Sequence, residues 1–69
     1  MNTIEKELES RKSEIQKEVD LLFKANMKIS DWDVPEVDDR EAATLLLNII
    51  QEKIDAIKKD VEAGKYDYY

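Results

Sequence analysis

Asp31-Trp32-Asp33-Val34-Pro35-Glu36-Val37-Asp38-Asp39-Arg40-Glu41 divides this chain into two runs that read as helices. The segment sets six acidic residues against one arginine, and it holds the only tryptophan and the only proline. Residues 1–28 balance six acids with six bases, and residues 42–69 carry five acids and four bases. Nearly all of the net charge of −6 therefore lies in one short joint. The expected fold class is all-α, a two-helix antiparallel hairpin that dimerises into a four-helix bundle.

On the N-terminal side of the joint, no proline or glycine interrupts the chain from Asn2 to Lys28. Asn2 suits a helix N-cap, and Glu5 three residues later completes a capping box. Ile4, Leu8, Ile15, Val19 and Leu22 recur at helical spacing and form one apolar stripe. Leu8, Ile15, Leu22 and Ile29 are each seven apart, which suits helices packed at a shallow angle. Arg11 and Glu18 stand where a strict coiled coil wants apolar groups, so a bundle is expected rather than an isolated zipper. Phe23, Ala25 and Met27 widen the apolar surface near the helix end, as core or cover over the connection. This first helix is expected over about residues 3–28, followed by an acidic connection over 29–37.

On the C-terminal side, Asp38 and Glu41 form a second capping box before Ala42. Asp33, with Pro35 just behind it, offers an alternative start about a turn earlier. The second helix is expected over about 38–63 and ends at Gly64, the only glycine, placed as a left-handed cap. Its main stripe is Ala43, Leu46, Ile50, Ile54, Ile57 and Val61, expected to pair with the stripe of the first helix. Around it, Ala42, Leu45, Leu47 and Ile49 spread apolar surface over most of the circumference. Leaving two or three such aliphatics wet forgoes roughly 1.5–3 kcal/mol each, and patches of that kind mark interfaces. Ala42, Leu45, Leu46, Leu47, Ile49 and Ile50 are therefore the expected oligomer interface.

The tail, residues 65–69, holds all three tyrosines. Tyr66, Tyr68 and Tyr69 read either as rings folded back over the bundle end or as a short docking motif, since aromatics with polar tips favour interfaces.

The whole chain is one small domain of 69 residues with no cysteine and no histidine. That removes disulfides and zinc fingers as staples and leaves regular helix packing and self-association. No apolar run is long enough to span a bilayer, and the N-terminus lacks a secretory pattern, so a cytoplasmic location is expected. Seventeen acids against eleven bases disfavour direct binding to nucleic acid or an anionic membrane.

No enzymatic activity and no cofactor is expected. One glycine cannot build a phosphate loop, and no serine stands beside a plausible base. Asp31, Asp33, Glu36, Asp38 and Asp39 supply oxygen ligands of the kind calcium or magnesium takes, but the loop glycine of an EF-hand is missing. Divalent-metal binding is a minor alternative. The main expectation is a small acidic interaction or inhibitor module whose tryptophan-containing joint docks a basic protein surface. Trp32 would be the anchor, with Asp31, Asp33, Glu36, Asp38 and Asp39 steering the encounter. The alternative is an assembly or scaffold module in which the bundle is itself the function and Trp32 packs over its open end.

Overall fold

The structure, a computed structural model, describes residues 2–36 and 38–68. It is all-helical: α1 spans Thr3–Ser10, α2 Lys12–Asp33 and α3 Asp39–Glu62. Val37 in the connection and Tyr69 in the tail lie outside the described residues.

Asn2 is extended, and its Oδ1 accepts the Glu5 N–H at 2.8 Å to start α1. The expected single first helix is two segments, broken at Arg11 with φ −104 and ψ 5. The Ser10 hydroxyl donates to the Glu7 carbonyl at 2.7 Å, an alternative to regular helix bonding that serine often takes. The Arg11 N–H reaches the Leu8 carbonyl at 3.1 Å, one residue short of the α-helical step. Regular bonding resumes where the Ile15 N–H meets the Arg11 carbonyl at 3.0 Å. An ion pair of 3.0 Å between Arg11 and Glu7 spans the break.

α2 runs to Asp33, past the expected end near residue 28. Nothing between Lys28 and Asp33 breaks a helix. The stop is Pro35, which disfavours helical geometry at Val34. Val34 sits at φ −137 and ψ 78, and its N–H still bonds the Ser30 carbonyl at 2.9 Å.

Asp38 caps α3, its Oδ1 accepting the Arg40 N–H at 3.1 Å. At the other end Gly64 takes φ 85. The Lys65 N–H reaches the Asp60 carbonyl at 3.0 Å and the Gly64 N–H reaches the Val61 carbonyl at 3.1 Å, a Schellman closure.

α2 and α3 meet around their connection. The half-buried residues are Phe23, Asn26, Met27 and Ser30 on α2 and Ala42, Ala43, Leu46 and Ile50 on α3, with Asp60 and Gly64 at the C-cap. On α3 these belong to the expected stripe or border it. On α2 they do not: at 3.6 residues per turn their face lies roughly 90° from the one bearing Ile15, Leu22 and Ile29. Continued toward the N-terminus, the α3-facing side meets Val19 and then Gln16 and Lys12, so it offers one aliphatic side chain for the far half of α3 to pack against. Ile54, Ile57 and Val61 remain exposed there, as do Ile15, Val19 and Leu22 on α2.

No described residue is fully buried. The radius of gyration is 16.0 Å, where a compact chain of this length has about 11 Å. The longest dimension is 48 Å. Packing within one chain thus leaves most of its apolar surface uncovered.

Candidate docking surface

Because α2 continues to Asp33, Trp32 stands in the last turn of a helix and not in a loop. It is 86% exposed. By helical angle it lies on the side of α2 opposite the Phe23–Ser30 face, pointing away from α3. It therefore does not cover the contact between the helices. Lys28, Ile29, Trp32 and Asp33 line a shallow surface groove. Leu21, three turns earlier on the same side, is also exposed. Leu21 belonged to no stripe in the sequence. Its relation to Trp32 becomes visible only when one helix carries both.

The charges at this end are placed against the helix dipole. The C-terminus of a helix is its negative end and favours cations. The last turn of α2 contains no basic residue, and Asp31 and Asp33 lie within it. The two aspartates oppose the fold locally, which is the kind of conflict expected where charge serves a partner.

Asp31 and Asp39 face each other across the connection. Their side chains share a hydrogen bond, and that bond, followed by the charge of Asp31, holds the Asp39 carboxyl above the usual aspartate range. Asp38 is occupied as the α3 cap. Of the acids expected to steer a partner, Asp33 and Glu36 are exposed with no such structural task. Asp38 caps α3, and Asp31 and Asp39 set like charges against each other across the joint. Among the described residues no three carboxylates converge as a metal-binding set.

The candidate residues do not form one site. Tyr66 and Tyr68 follow the far end of α3, a helix of 24 residues, which places them about 36 Å from the joint. Tyr66 is 41% exposed and Tyr68 fully so. Tyr69 lies outside the described residues. The expected interface on α3 also divides. Ala42, Leu46 and Ile50 are half-buried, whereas Leu45, Leu47 and Ile49 are exposed. Leu45 and Ile49 line an apolar groove together with Ile29 and Val34.

No helix among the described residues is long and apolar enough to cross a membrane. No family model matches the chain, and no match to it was found among curated proteins or solved structures.

Proposed function

We propose that this chain is a small acidic, oligomeric interaction module that docks a basic protein surface through the end of α2. The observation that carries the reading is the exposure of Trp32 on the face turned away from α3. A large aromatic left in water forgoes burial worth roughly 1.5–3 kcal/mol, and tryptophan is the residue type most enriched among interface anchors. Asp33 and Glu36 flank it, and Asp31 adds charge at the same helix end. A basic partner would bury the indole and neutralise aspartates that now oppose the helix dipole. Charge of this kind speeds and orients encounter more than it adds affinity. Blocking the basic surface of another protein is the inhibitor form of the same activity, and the cytoplasm is the location that accords with it.

In this reading α2 and α3 form an antiparallel hairpin, and two hairpins complete a four-helix bundle. The large uncovered apolar surface favours a second reading, in which the assembled bundle is a scaffold and its geometry is the function.

The test compares the native chain with an Asp31→Asn, Trp32→Ala, Asp33→Asn triple variant in affinity capture from the native extract. The reading expects partners bound by the native chain in low salt to be lost with the variant, while its helical circular dichroism is retained. Equal capture by a folded variant would remove the α2 end as the recognition surface.

A further inference from the structure

We propose that the flank of α2 bearing Ile15, Leu22 and Ile29, continued onto α3 by Leu45 and Ile49, seats a second copy of this chain. The proposal rests on the oligomeric part of the reading above and gives it a surface, one that the arrangement of apolar residues on α3 alone does not identify.

Three observations lead to this flank. Ile15, Leu22 and Ile29 are seven residues apart on one uninterrupted helix and are all exposed. Leu8, across the break at Arg11, joins Ile15 in a shared surface groove. A seam with this repeat is the pattern that a second helix fills at a shallow crossing angle.

The chain's own α3 does not fill it. α3 meets α2 through Phe23, Asn26, Met27 and Ser30, roughly a quarter turn away. At the edge between the two faces, Ile29 shares its groove with Leu45 and Ile49, so the uncovered surface is continuous across both helices.

The amount of surface matches a pair of chains. A compact protein of 8.1 kDa exposes about 4,500 Å². This chain exposes 6454 Å², an excess of about 2,000 Å². Twice that excess, about 4,000 Å² for two copies, falls within the range of obligate homodimer interfaces. A two-fold axis would lay each flank against its own copy, so one stripe suffices for both sides of the interface. Trp32 and Leu21 lie roughly 80–100° further round α2, and Ile29 and Asp33 border both surfaces.

Mixing isotope-labelled and unlabelled native chain and recording filtered nuclear Overhauser effects locates the contact without altering the sequence. The expected result is intermolecular effects at the methyl groups of Ile15, Leu22 and Ile29. Intermolecular effects confined to Leu47, Ile54 or Trp32 would overturn the proposed surface and leave the oligomeric reading standing. A single-chain mass with no intermolecular effect would overturn both.

An Ile15→Asp, Leu22→Asp double variant is expected to raise the dimer dissociation constant at least a hundredfold. Leu21→Asp, on the docking side, is expected to change it less than threefold. The reverse order of effects would also overturn the assignment. If the double variant loses its helices, the measurement on the native chain decides.

Discussion

Asp31 and Asp33 carry negative charge into the negative end of α2, and Asp31 also stands against Asp39 across the connection. Replacing Asp33 with lysine reverses the unfavourable term. The Asp33→Lys variant should raise the thermal midpoint by about 2–5 °C while weakening capture of a basic partner. Circular dichroism melting and the capture assay check the two halves separately, and a loss of stability would contradict the dipole argument. Asp39 predicts a pH dependence of definite sign. Its carboxyl is held above the usual range in the folded chain, so the folded state binds that proton more tightly than the unfolded one. The resulting stability is fully present below the unfolded aspartate pKa and is lost as pH rises through the elevated folded value. Asp31→Asn should flatten this part of the profile and favour the folded form near neutrality, as followed by thermal unfolding at a series of pH values.

Helix ends were the most readable elements. Asn2, Asp38 and Gly64 each do at the backbone what their residue types prescribe. Gly64→Ala is therefore expected to cost about 1 kcal/mol, because alanine resists a positive φ and its Cβ would lie 2.9 Å from an Asp67 carboxylate oxygen. A midpoint lowered by about 4–8 °C would support this, and an unchanged midpoint would count against the cap. The course of the first helix was less readable. The apolar repeat does not register the break at Arg11, where a serine hydroxyl competes for a carbonyl. The expected stop lies near Lys28, whereas the physical stop is Pro35. That difference of about a turn and a half moves Trp32 from loop to helix and gives its side chain a direction. The packing face of α2 was legible only in part: Phe23 and Met27 read as core or cover over the connection, while Asn26 and Ser30 are too polar to signal a contact. The apolar stripe that the sequence displays most clearly lies on a flank that α3 does not cover.

At the scale of the molecule, the chain is long, thin and without a buried residue among those described. Caps and turns specify where its helices begin and end. They do not supply enough covered apolar surface to stabilise a domain of this size. Its two unfilled surfaces divide by chemistry: an aliphatic flank suited to a copy of itself, and a tryptophan edge bordered by acids suited to a basic partner. The Asp33 and Trp32 substitutions address the edge, whereas the claim at the scale of the whole molecule is that the folded unit is more than one chain, through whichever surface. Sedimentation velocity of the native protein, diluted through the micromolar range, tests that claim most directly. The account predicts a species of twice the 8.1 kDa chain mass that dissociates, with loss of helical signal, only at the lowest concentrations. A compact, fully helical monomer throughout the range would contradict it.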